Sequence, residues 1–303
     1  MEQVMKSTRR QCMLALFSAQ LVVICVFIGV TMNLTTLYDE NFDHMGIRTF
    51  CMFTVNSNIL AAISMAMIIP YTVDGIRKNN YHLPRWVTVF AFAGVTAVTL
   101  TFLISLFILS PVKGFHLIFS GSRFFLHGVC PILAFLAFCF FMSEQRVSFQ
   151  DANIAVFPVL IYAIVYFVMV VVIGEEKGGW NDFYGFATRI PLWISVVLVM
   201  PLTFGISSMI RFLHNRSYRK RKEEEAAGFE EAFHNADLRS VVKNMAREQS
   251  AVIRNRDILI PKRVISIMLE HSDSGCTLDE LCELYLKEYL GTDSKGSQED
   301  MWT

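Results

Sequence analysis

The chain has 303 residues, of which 53% are hydrophobic and only 18% charged, and its mean hydropathy is +0.43. That balance excludes an ordinary soluble domain and a nucleic-acid-binding one, and points to a membrane protein. The 27 basic and 27 acidic residues cancel, yet 14 of the basic and 17 of the acidic ones lie after residue 213. Charge is therefore a property of the C-terminal tail.

In chain order, six apolar stretches are long enough to cross a bilayer: about 13–33, 49–71, 86–110, 121–142, 152–173 and 190–213. The first is too long for a signal-peptide core and is read as a span. The expected fold is all-α, a polytopic membrane bundle of six transmembrane helices over 1–214, followed by a small cytoplasmic helical tail over 215–303. Orientation follows from Lys and Arg, which stay on the cytoplasmic side of short loops. With the N-terminus inside, thirteen of them, from Lys6 to Lys222, flank the spans internally. Only five, Arg48, Lys113, Arg123, Lys177 and Arg189, fall outside. A cell-membrane protein with both termini cytoplasmic is the consequence, and the run Arg219 to Lys222 adds weak attraction for anionic lipid.

Within the tail, Glu223 to Arg256 reads as a polar helix, and Val264 to Leu269 as a short apolar segment after Pro261. Thr277 and Glu280 form a capping box that opens a last helix. Its face of Leu278, Leu281, Cys282, Tyr285 and Tyr289 fits either self-packing or docking of a cytoplasmic protein. The seven cysteines show no metal or disulfide spacing, so neither a metal nor a cofactor is expected. Asn33-Leu34-Thr35 matches a glycosylation acceptor but hugs the membrane.

Polar side chains inside an apolar span mark packing contacts or function. In the second span Thr54, Ser57 and Asn58 share one face at helical spacing. In the fourth, His127 is the histidine set well inside the apolar stretch. Spans two and four run in the same direction, so Thr54 and His127 lie at one depth, roughly 6–9 Å below the outer surface. A hydroxyl beside an imidazole has the elements of nucleophilic catalysis, because the weak nucleophile needs a base that titrates near neutrality. Each residue has a plainer role as well. Threonine hydroxyls in helices bond back to the preceding turn, and Ser57 and Asn58 suit interhelical hydrogen bonding. Cys130, a turn beyond His127, is either a small packing residue or a thiol acyl acceptor.

The stretch Phe53-Thr54-Val55-Asn56-Ser57-Asn58-Ile59-Leu60 is similar to an FT-x-x-SN-L motif. Leu126-His127-Gly128-Val129-Cys130-Pro131-Ile132-Leu133 is similar to H-x-x-x-P-I-L. On these motifs the chain resembles the androgen-induced gene and androgen-dependent TFPI-regulating protein family, particularly its bacterial six-span relatives, over about residues 10–213. Gly179-Trp180 and Phe183-Tyr184-Gly185-Phe186 look like the family's aromatic-proline loop, with Gly185 where a proline is expected. The resemblance implies an intramembrane threonine hydrolase of fatty acid esters of hydroxy fatty acids, with Thr54 as nucleophile and His127 as base. Ser57 and Asn58 would be supporting groups, orienting His127 or stabilising an oxyanion. The alternative is a non-enzymatic lipid-binding sensor or scaffold that signals through its tail.

Overall fold

The computed structural model describes residues 2–35, 46–78, 81–185 and 192–235. Among them there is no strand, and six helices are long and apolar enough to cross a membrane. We number these α1 (Glu2–Thr35), α2 (Phe53–Lys78), α3 (Arg85–Lys113), α4 (Gly121–Phe141), α5 (Phe149–Ile173) and α6 (Leu192–Asn235). A compact unit takes in Glu2–Glu224. The tail features after residue 235, including the Thr277 capping box, lie outside the described residues.

Two boundaries differ from the hydropathy reading. Residues Gly46–Cys51 form a separate 3-10 segment, so α2 begins at Phe53 instead of 49. Helix α6 runs unbroken past 214, because its Arg, Lys and Glu residues are good helix formers even where they are not apolar.

The helices alternate in direction. Gln11, early in α1, donates to Phe141 O at the end of α4. At the opposite end of the bundle, the Ser122 hydroxyl donates to Asn33 Oδ1 late in α1. That bond commits the side chain of the glycosylation-like Asn33 to helix packing.

Helix α1 shows how sequence spacing becomes packing. Cys12, Ala15, Ala19, Val22 and Val26 recur every three or four residues and are all buried, whereas Met13, Phe17, Ile24 and Phe27 face outward. Helix α3 occupies the centre: 61% of its apolar window is buried, against 11% for α5. Small residues make this possible. A Cβ added at Gly94 would stand 3.1 Å from the Ala61 backbone, so α2 and α3 approach as closely as they do because glycine lies between them. Phe92 and Phe138 stack nearly parallel, with ring centroids 5.5 Å apart, and link α3 to α4.

The end of the bundle that holds His214 is closed by polar contacts. His214 is fully buried, with Nδ1 2.9 Å from Phe138 O and Nε2 3.0 Å from Gln145 O. Asn215 pairs through its amide with both Val147 N–H and Val147 O, at 2.8 and 2.9 Å. Gln145 donates to Leu83 O and Thr88 Oγ1. Ser148 and Asp151 form a capping box at the start of α5, and Arg85 forms an ion pair with the same carboxylate.

Candidate active site

The opposite end carries the residues singled out by the sequence. Helix α2 starts at Phe53, and its first amides have no partner within the helix. The Tyr184 hydroxyl fills that role from the segment after α5. It accepts the Phe53 N–H at 3.0 Å. Burial pushes the Tyr184 hydroxyl above the usual phenol range, so it stays protonated. Thr54 is partly buried, next to the Phe53 amide that Tyr184 caps. No hydrogen bond joins Thr54 to His127 in this arrangement.

Helix α4 explains why its neighbouring turn accepts a hydrogen bond from α2. Over Phe124–Val129 it widens into a π-turn, and the Cys130 N–H reaches back to Phe125 O. Leu126 O would then look to residue 131, which is a proline without an N–H. The orphaned carbonyl is satisfied by Asn58 Nδ2 at 2.9 Å, and the same nitrogen donates to Thr54 O at 2.7 Å. One buried amide thus links the Thr54 turn of α2 to the His127 turn of α4. The two N–H groups of Asn58 are both committed to these carbonyls, which leaves none for an oxyanion. The Asn58 Oδ1 is buried without a partner.

Ser57 is buried as well. Its hydroxyl lies 3.0 Å from Thr54 O and 3.1 Å from Thr101 Oγ1, and Thr101 in turn reaches Ala97 O. Ser57 therefore joins α2 to α3, and its contacts are those of interhelical packing.

His127 is buried, and its Nδ1 lies 3.2 Å from Ile118 O. Ile118 ends the single turn Phe115–Ile118, so its carbonyl is one that a helix leaves open. A carbonyl only accepts, so Nδ1 carries the proton and Nε2 keeps its lone pair. That is the tautomer a general base requires. Cys130 Sγ points elsewhere: it lies 3.9 Å from Val22 O of α1. It has the surroundings of a packing residue.

Hydropathy and spacing did not single out Tyr162, Tyr166 and Asp182, and Tyr184 entered only through the aromatic loop. Tyr162 donates to Cys51 O at 2.6 Å, Tyr166 donates to Asp182 Oδ1 at 2.7 Å, and the Tyr184 N–H reaches Tyr166 Oη at 3.3 Å. The Tyr166 ring packs against Trp180, Phe183 and Tyr184. The segment folds back on α5 through Gly179 N–H to Gly174 O and Trp180 N–H to Met169 O. A Cβ at Gly179 would stand only 2.1 Å from Met169 O, so only glycine permits this return. The signal in the sequence was the density of aromatic residues between 180 and 186, without an indication of where they dock.

Comparisons with protein-family models, with curated proteins and with solved structures find no match to this chain.

Proposed function

We propose that the chain is a six-span membrane protein with both ends cytoplasmic, and that its Thr54 end hydrolyses lipid-like esters of the fatty acid ester of hydroxy fatty acid type. The observation that carries this reading is the Asn58 amide, bonded at once to Thr54 O and Leu126 O. It sets a nucleophile-bearing turn beside a turn whose histidine offers an unprotonated Nε2. The excess of positive charge at the His214 side supports the orientation, and the two motif stretches around Thr54 and His127 support the ester class.

In the proposed reaction Thr54 Oγ attacks the ester carbonyl carbon, and its proton passes to His127 Nε2. The carbonyl electron pair moves onto oxygen to give a tetrahedral oxyanion. Collapse restores the carbonyl, breaks the ester C–O bond, and returns the proton from His127 to the departing alkoxide. Water then repeats the sequence on the acyl-threonine, releasing a carboxylic acid and regenerating Thr54. Thr54 and His127 must close on each other or share a water when substrate enters, as catalytic contacts commonly tighten from an apo arrangement.

A second reading rests on the His127 ring being held by Ile118 O, with no hydrogen bond to Thr54. In it the same end of the bundle binds a membrane lipid without turnover, and the tail passes the signal to a cytoplasmic protein. A fluorophosphonate probe separates the two. Under hydrolysis the purified protein is labelled, Thr54→Ala abolishes labelling, and His127→Ala slows it by about 10²–10⁴-fold. Lipid binding without any labelling favours the sensor. Labelling that survives Thr54→Ala but is lost in Cys130→Ala assigns the nucleophile to the thiol.

A further inference from the structure

We propose that Arg211 binds the phosphodiester of an anionic phospholipid where α5 and α6 meet, at the end of the bundle opposite Thr54. The inference rests on the six-span membrane reading and is independent of the chemistry assigned to Thr54. It starts from charge. The two mostly buried carboxylates described at this end are both taken: Arg85 pairs with Asp151, and Arg221 lies 3.1 Å from Glu144. Lys78 pairs with Asp74, and Lys220 with Glu224. Arg211 has no such anion. Among the described residues no hydrogen bond or ion pair engages its guanidinium, and Nε is buried without a partner.

The side chain is nevertheless held in place. Its guanidinium carbon stands over the Phe149 ring, 5.6 Å from the centroid, and Phe204 packs edge-on against the same ring. One turn further along α6, Asn215 binds both the N–H and the carbonyl of Val147. These contacts lay residues 147–149 against residues 211–215 of α6. A guanidinium fixed on an aromatic face keeps its planar fork preorganised, and that fork matches the two free oxygens of a phosphodiester.

The surroundings select the anion. Phe149 is the first residue of α5, so the guanidinium lies at the level where that helix enters the apolar layer. The phosphates of a bilayer lie at the same level. The Phe149 ring is 54% exposed, and exposed apolar side chains continue from it toward the Thr54 end, with Phe157 on α5 and Leu202 on α6. They offer acyl chains a surface beneath the phosphate, which a dissolved anion could not use. The neighbouring exposed charges are positive, Arg146 and Arg216, with Arg219 a turn beyond. They oppose the ammonium of a zwitterionic headgroup and favour a lipid of net negative charge.

The test is native mass spectrometry of the full chain in detergent at physiological ionic strength, titrated with phosphatidylglycerol or phosphatidylcholine, with thermal midpoints measured in parallel. Wild type is expected to retain phosphatidylglycerol in preference to phosphatidylcholine. Arg211→Gln should bind phosphatidylglycerol at least about fivefold more weakly, since it loses charged hydrogen bonds. Phe149→Leu, which keeps the charge and removes the ring beneath it, should bind about two- to fivefold more weakly. Arg216→Gln removes a screened, exposed charge and should stay within about twofold of wild type.

Four results overturn the proposal: wild-type affinity in Arg211→Gln, an equal loss in Arg216→Gln, phosphatidylcholine bound as tightly as phosphatidylglycerol, or displacement of the lipid by an equal concentration of glycerophosphoglycerol. The last compound has the same phosphodiester without acyl chains, and its success would assign the site to a soluble anion. Should Arg211→Gln fail to fold, Phe149→Leu decides, and unchanged affinity there overturns the assignment. A chain that leaves the membrane fraction without detergent removes the six-span reading itself. A membrane-embedded chain that binds lipids without selectivity removes only the Arg211 site.

Discussion

The two ends of the bundle hold different sets of polar groups. At the His214 end the imidazole lies between two carbonyls, Asn215 binds both backbone groups of Val147, and Asp151 caps α5 while pairing with Arg85. At the Thr54 end Asn58 Oδ1 is buried without a partner, His127 uses Nδ1 and leaves Nε2 with its lone pair, and Tyr184 caps the first turn of α2. A buried group with every bond made contributes to stability and specifies one arrangement. A group with a bond unmade costs stability and stands ready for a ligand. Each end also keeps an unpaired buried oxygen, Tyr81 Oη and Asn58 Oδ1; under the proposed function the His214 end fastens the helices and the Thr54 end carries the chemistry.

Mutations can break this contrast, and stability is the first axis. His214→Ala should cost the most, about 2–4 kcal/mol, because it opens a cavity against Phe138 and removes the ring N–H from a buried carbonyl. Its fluorophosphonate labelling below the unfolding temperature should remain near wild type. A His214→Ala protein that keeps its thermal midpoint but loses labelling would reverse the roles assigned to the two ends.

Asn58→Leu is expected to be next, at about 1–3 kcal/mol, since it strands the Leu126 carbonyl and removes the bridge to the Thr54 turn. Unlike His214→Ala it should also slow labelling, because it releases the His127 turn from the Thr54 turn. Equal labelling in Asn58→Leu and wild type would show that the bridge does not serve the site. Ser57→Ala should be the mildest, about 1 kcal/mol or less, with labelling within about twofold. A large loss of labelling there would mean that Ser57 reaches the substrate, against the packing contacts it makes with Thr54 O and Thr101.

The architecture was largely legible because the apolar stretches are long and separated by charged or turn-forming residues. The limits of α6 were not, since hydropathy records what a helix is immersed in and not where its backbone bonds stop. Thr54, Ser57 and Asn58 were readable as one face, because 3.6-residue periodicity is local. Their division of labour was not readable. Asn58 binds α4 only because Pro131 lacks an N–H and the π-turn at Phe124–Val129 shifts the Cys130 bond to Phe125 O. The Pro131 part of that cause is visible in the sequence. The facing amide, 68 residues away along the chain, is not.

By itself, then, the sequence determined the all-helical class, six apolar helices, and the two turns that carry a threonine and a histidine. Periodicity and hydropathy act over a few neighbouring residues, and such features depend on nothing more distant. Only the tertiary structure decided which carbonyl of α4 Asn58 meets, which nitrogen of His127 is held by Ile118 O, and that Tyr184 caps α2 from 131 residues away. Those contacts follow from how the helices and the loop after α5 pack together, and the direction of a hydrogen bond is settled only when its partner arrives.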